Sequence, residues 1–139
     1  MTGILAALMP AASQSTGDYI NIANASVTDS INGGTASASY RITNGGKYQL
    51  IASHGSTVTN DAVIPNGNIG NYEAFVTVTS GTLTSGTTGS WVALSATQTW
   101  TKTATNTFAT CAFTLQLRIA ATGVVVKTIT VSLEADGSP

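Results

Sequence analysis

His54 is the one histidine of a 139-residue chain, and it lies in the polar run Ser53-His54-Gly55-Ser56. With Asp61 and a nearby serine it could supply the parts of a nucleophilic triad, in which an imidazole removes a hydroxyl proton while a carboxylate fixes its tautomer. No serine here stands in a Gly-x-Ser-x-Gly turn of the kind that exposes a nucleophile. His54 therefore reads as a solvated loop residue, and the chain reads as non-enzymatic.

Asp18, Asp29, Asp61, Glu73, Glu134 and Asp136 are scattered, without the alternating Asp/Asn series of a calcium loop. One cysteine and one histidine cannot complete a zinc site. The doublets Gly33-Gly34 and Gly45-Gly46 lack the lysine and following helix of a phosphate cradle, so they read as turn glycines. No metal and no cofactor is expected.

Among the aromatic residues, Trp91 and Trp100 are expected in the core, because a domain of this size needs its largest side chains inside. Tyr48 and Tyr72 are the candidates for a ligand or interface role, since a phenol can sit at the rim of a sheet with its hydroxyl in water. Cys111 lies in the alternating run Cys111, Phe113, Leu115, Leu117, Ile119 and reads as a buried thiol. Leu94, Phe113, Leu115 and Leu117 complete the expected core.

Only 8% of the residues are charged, against about a quarter in an average globular chain, and threonine and serine are abundant. Threonine is β-branched, so it suits a pleated sheet while offering a hydroxyl to water. Five Lys/Arg against six Asp/Glu leave a net charge of −1. That balance provides no footprint for a phosphate backbone or an anionic bilayer, so neither nucleic acid nor membrane is an expected partner. Low charge also weakens repulsion between copies, which points to self-assembly.

Residues 1–18 differ from the rest. The apolar stretch 3–12 contains Ile4, Leu5, Leu8 and Met9 and is followed by the polar run Ser13-Gln14-Ser15-Thr16-Gly17-Asp18. It is too short to span a bilayer and lacks the basic residues that precede a signal h-region. It reads as an extended arm and linker ahead of one domain over 19–139, the arm docking on a neighbouring subunit or on its own domain.

From Tyr19 onward the pattern has period two, punctuated by glycine and asparagine, as in strands joined by turns. Residues 35–43 pair with 47–53 across Asn44-Gly45-Gly46. Residues 54–71 form a loop with one short edge strand near Ala62-Val63-Ile64. Residues 72–79 alternate Tyr72, Ala74, Val76 and Val78 against Glu73, Phe75, Thr77 and Thr79, and residues 80–89 form a flexible loop. A short strand is expected at 91–94 and another at 97–103, where a row of threonines opposes Gln98, Trp100 and Lys102. Residues 108–119 pair with 124–134 across Ala120-Ala121-Thr122-Gly123, with Val125, Ile129, Val131 and Leu133 on one face. Seven or eight short strands at this spacing predict an all-β chain, specifically an immunoglobulin- or fibronectin-like antiparallel β-sandwich with an N-terminal extended arm, the alternative being a jelly roll.

Three segments carry a family resemblance: residues 34–40 with the Asn-Gly-Gly turn after them, the run Ser90-Trp91-Val92-Ala93-Leu94 with Thr97-Gln98-Thr99-Trp100-Thr101, and residues 115–123. Together they resemble small tail-associated structural proteins of tailed bacteriophages over roughly residues 20–135. The resemblance implies a virion protein without catalytic residues, in the tail, tail tip or fibre, with Trp91, Leu94, Trp100 and Gly123 in structural roles. Its partners would be other copies of itself and neighbouring virion proteins, with the arm as the attachment segment. A capsid decoration protein, or a carbohydrate-binding or adhesin module that recognises a host surface glycan, are the alternatives.

Overall fold

A computed structural model describes residues 20–62 and 68–139. The arm residues Ile4, Leu5, Leu8 and Met9, the rest of 1–18, and Val63-Ile64 of the expected edge strand lie outside them. Among the described residues there are nine strands: β1 Ala25–Ser30, β2 Thr35–Ile42, β3 Lys47–Ala52, β4 Thr57–Asp61, β5 Tyr72–Gly81, β6 Trp91–Ala93, β7 Gln98–Thr105, β8 Phe108–Ile119 and β9 Val125–Asp136. They form an all-β sandwich of two sheets. One has the order β1-β9-β8-β5-β6, the other β4-β3-β2-β7.

Alternation decides which side chains meet between the sheets. Ala38, Tyr40 and Ile42 of β2 share one buried core with Phe113, Leu115 and Leu117 of β8 and Ile129, Val131 and Leu133 of β9, while Ala36 packs with Ala104 and Ala135 in a smaller cluster and Cys111 is buried as well. Trp100 is wholly buried at the centre, its ring 6.5 Å from Tyr40 and 6.2 Å from Phe113. The indole N–H, which would otherwise be an orphaned donor, bonds to the Thr87 carbonyl at 2.7 Å. Burial pushes the Cys111 thiol above its ordinary pKa, only partly offset by nearby Lys102, so the thiol stays protonated and behaves as a small hydrophobe.

Three expectations need correction. The sandwich is not purely antiparallel: β1 runs parallel to β9, with Ala25 opposite Val131 and Asp29 opposite Ala135. No tight turn joins these two strands, so nothing local imposes the antiparallel direction. The segment 54–71 does hold a short edge strand, Thr57–Asp61, which opens with the β-branched run Thr57-Val58-Thr59 and is followed by the buried Ala62. Residues 82–90 are not a free loop. Thr84 N and Ser85 N bond to Thr101 O at 2.8 and 3.2 Å, and Thr101 N returns a bond to Ser85 O at 3.0 Å. They thereby cover the β7 edge, which would otherwise present unpaired backbone groups. Gly86 makes this close approach: its φ is +117°, and a Cβ there would stand 2.5 Å from Trp100 Cδ1. Finally, Val125 does not join Ile129, Val131 and Leu133. A register shift between Val125 and Lys127 throws it outward, 43% exposed, while Val126 packs on the core.

The Tyr40 hydroxyl is buried without a hydrogen-bond partner among the described residues, and burial, then the neighbouring Tyr48, raise its pKa far above the ordinary tyrosine value. A buried hydroxyl without a partner costs about 1–3 kcal/mol relative to its hydrated state. Tyr40→Phe is accordingly expected to raise stability by about 1 kcal/mol, read as a higher urea midpoint with an unchanged m-value.

Candidate functional site

Two clusters that join charged with polar or aromatic side chains stand out among the described residues. The first is the seam between the sheets. Asp29, on β1 of the five-stranded sheet, is 2% exposed, and its carboxylate accepts four hydrogen bonds from the other sheet and its adjoining turn. Ser37 N donates at 2.8 Å, the Ser53 hydroxyl at 2.7 Å, His54 N at 2.6 Å, and His54 Nδ1 lies at 2.9 Å. His54 thus pairs with Asp29, whereas Asp61 pairs with Lys47.

Although an aspartate, a histidine and a serine meet here, the connectivity is not that of a triad. In a triad the two ring nitrogens divide the work, one held by the carboxylate and the other accepting the nucleophile's proton. Here Ser53 Oγ and His54 Nδ1 both address the same oxygen, Asp29 Oδ2, and Ser53 lies 3.1 Å from that same Nδ1. A ring nitrogen that donates to Asp29 cannot also accept from Ser53, and the hydroxyl proton is already given to the carboxylate.

Burial alone would raise the Asp29 pKa, but the bonds from His54, Ser53 and Ser37 outweigh it and bring the carboxyl from the ordinary 3.8 to about 2. The shift corresponds to about 2 kcal/mol of stability from ionisation, present above the unfolded value and lost as pH falls toward the folded one.

The second place is the outer face of the five-stranded sheet. Trp91, expected in the core, is half-buried on that face. β6 has only three residues, and its register sets Trp91 opposite Phe75, whose neighbours Tyr72, Ala74 and Val76 take the inward positions. The two rings are 5.2 Å apart, and the Arg118 guanidinium carbon sits 4.0 Å above the indole. Glu73 Oε1 accepts from Arg118 Nε at 2.9 Å, both side chains partly buried. The group is a tilted pair of rings with a fixed guanidinium over one face of the indole, a composition that suits protein interfaces and sugar recognition alike.

The other expected residues are distributed as follows. Leu94, Trp100, Cys111, Phe113, Leu115 and Leu117 are all buried. Tyr72 is buried too, which removes it from the ligand candidates; its place in the series with Ala74 and Val76 was the signal for this. Tyr48 is half-buried, its ring 6.0 Å from Tyr40. Trp91 is therefore the aromatic residue that sequence reasoning placed on the wrong side.

The outer face of the four-stranded sheet is covered by hydroxyls bonded to one another. Thr35 pairs with Thr105, Ser37 with Thr103 and Ser39 with Thr101, each at 2.8 Å, and Arg41 Nε reaches Thr99 at 3.0 Å. At the end of the sandwich that carries the β8–β9 turn, Gly70, Asn71, Ile119, Ala120 and Ala121 line a groove of about 520 Å³. Beside it Val124 is 54% exposed, along with Val125. Among the described residues no three His, Cys, Asp or Glu side chains converge as metal ligands would, and no helix is long and apolar enough to cross a membrane.

No family model matches the chain, and no curated protein or solved structure is significantly similar to it.

Two outcomes test these assignments. Asp29→Asn is expected to destabilise the fold by about 3 kcal/mol at pH 7, because it removes the charge that four donors address. In urea titrations the gap between wild type and variant should stay constant above about pH 5 and narrow as pH falls from 4 toward 2. Trp91→Ala should cost only about 1–2 kcal/mol, the loss of one ring contact and one cation–π contact, whereas Trp100→Ala should cost about 3–5 kcal/mol. Equal losses in thermal unfolding would place Trp91 back in the core.

Proposed function

We propose that the chain is a non-enzymatic structural module of a bacteriophage virion, a tail, tail-tip or fibre component that joins copies of itself and neighbouring virion proteins. The observation that carries this reading is the fate of its reactive groups. Asp29, His54 and Ser53 are spent on the seam between the sheets, and Lys47–Asp61 and Glu73–Arg118 pair with each other. Among the described residues the outer faces carry cross-strand bonded hydroxyls and one aromatic cluster, with two exposed valines together at one end. Such a surface suits association and offers little for bond cleavage.

The strand order supports an immunoglobulin- or fibronectin-like version of the sandwich. The first described strand runs beside the last, β9, β8 and β5 follow in the order of the G, F and C strands, and β2 pairs with β7 as B pairs with E. The hairpin β3–β4 departs from that plan, occupying the outer edge of β2 where an A strand would lie. A jelly roll fits less well, since it requires two interlocked Greek keys.

The test is detection of the protein in purified particles by mass spectrometry and by antibody labelling in electron micrographs. Labelling of the tail supports the reading, labelling of the head favours a capsid decoration protein, and absence from particles refutes both.

One observation favours a second reading, a carbohydrate-binding module: the half-buried cluster of Trp91, Phe75 and Arg118 on the outer sheet face. A glycan-array signal abolished by Trp91→Ala would establish it, and a blank array, or a signal unchanged by the substitution, would dismiss it.

A further inference from the structure

The parallel pairing of β1 with β9 fixes where the chain enters the domain. Ala25 lies opposite Val131, and Thr130 N donates to Asn24 Oδ1 at 2.9 Å, so the alignment persists one residue before the strand begins. Because β1 is parallel to β9, the chain enters β1 from the side of the β8–β9 turn, and Ile20 packs on the core cluster that spans the sandwich. The polypeptide upstream of Ile20 therefore joins the sandwich at the end that carries the groove of Gly70, Asn71, Ile119, Ala120 and Ala121 and the exposed pair Val124 and Val125.

Of the large apolar side chains exposed among the described residues, the other two lie apart, Val58 on the β4 edge and Phe108 opposite Asp136 at the far end. The bulge at Val125 breaks an alternation that would have buried it and turns it outward beside Val124, the exposed last residue of the β8–β9 turn, at a groove walled largely by glycine and alanine. Short walls leave room for the branched side chains of a partner, and a partner seated there takes the exposed valine surface out of water.

We propose that this groove and its valine rim receive the apolar segment of residues 3–12, through Ile4, Leu5, Leu8 and Met9, from a neighbouring copy of the chain. The inference rests on the assembly reading above. Its polarity matches the groove, and the six polar residues 13–18 can span about 20 Å when extended, enough to leave one domain for the next. Docking on the chain's own groove would need only a tight turn, since entry point and groove share one end. With donor and acceptor at the same end of the sandwich, two copies can exchange arms reciprocally about a two-fold axis, which gives a closed dimer.

Complementation tests this directly. Full-length protein should sediment as a closed oligomer of 14.1 kDa chains. A truncation lacking residues 1–12, and a full-length variant with Val124→Asp and Val125→Asp, should each sediment as a folded monomer, their self-association weakened by at least about tenfold. Both substituted side chains are solvent-exposed, and an unchanged far-ultraviolet spectrum checks the fold. Mixed together, the truncation, which keeps only the groove, and the valine variant, which keeps only the arm, should form a one-to-one complex. Failure to complement overturns the proposal, as does a full-length monomer whose arm is protected from protease on its own domain. If the oligomer survives truncation, sheet edges carry assembly; the arm-to-groove contact is then wrong while the virion reading stands. Absence of the protein from particles would remove the virion reading independently.

Discussion

The Asp29 carboxylate holds β1 against the opposite sheet, and much of the architecture follows from that contact. β1 is an edge strand that meets its own sheet only through β9. Four donors from β2 and from the turn after β3 converge on Asp29 and leave it few alternative positions. With Asp29 fixed opposite Ala135, the parallel register of the pair is set over its whole length. So is the point at which the upstream chain reaches the domain. A buried charge with this many partners is costly to misplace, because a shift of one residue would leave the carboxylate buried without its donors.

The core obeys a simpler rule. Period-two alternation on β2, β5, β8 and β9 sends one set of side chains inward, and Trp100 fills the space between the sheets with Tyr40 and Phe113 beside it. The segment after β5 then folds over Trp100, receives its indole N–H, and covers the edge of β7. On the outside, the same alternation leaves rows of threonine and serine that satisfy one another across strands. Such a surface carries little charge, so contact with a second copy requires little desolvation of ions. The bulge in β9 is the place where the alternation is broken, and it is there that apolar side chains are delivered to solvent.

Reading the residues in order established the strands and most of their inward faces, because alternation is a property of neighbours: the hairpin over 35–53, the β8–β9 pair, and the burial of Trp100, Cys111, Phe113, Leu115 and Leu117 were all legible. Even the burial of Tyr72 was written in its series with Ala74 and Val76. What could not be read were contacts whose partners lie far apart in the chain. The parallel β1–β9 pair joins residues more than a hundred positions apart, and Asp29 interrupts the inward series Ala25, Val27 with a charge that makes sense only beside Ser53 and His54. Trp91 sits on a three-residue strand, too short for alternation to choose a face, so its register against Phe75 chose it. The sequence by itself determined that this protein is built of amphipathic strands with a hydroxyl-rich exterior. Only the tertiary structure decided which strands meet, which groups the buried carboxylate gathers, and where the alternation fails, since those depend on distances that no local pattern encodes.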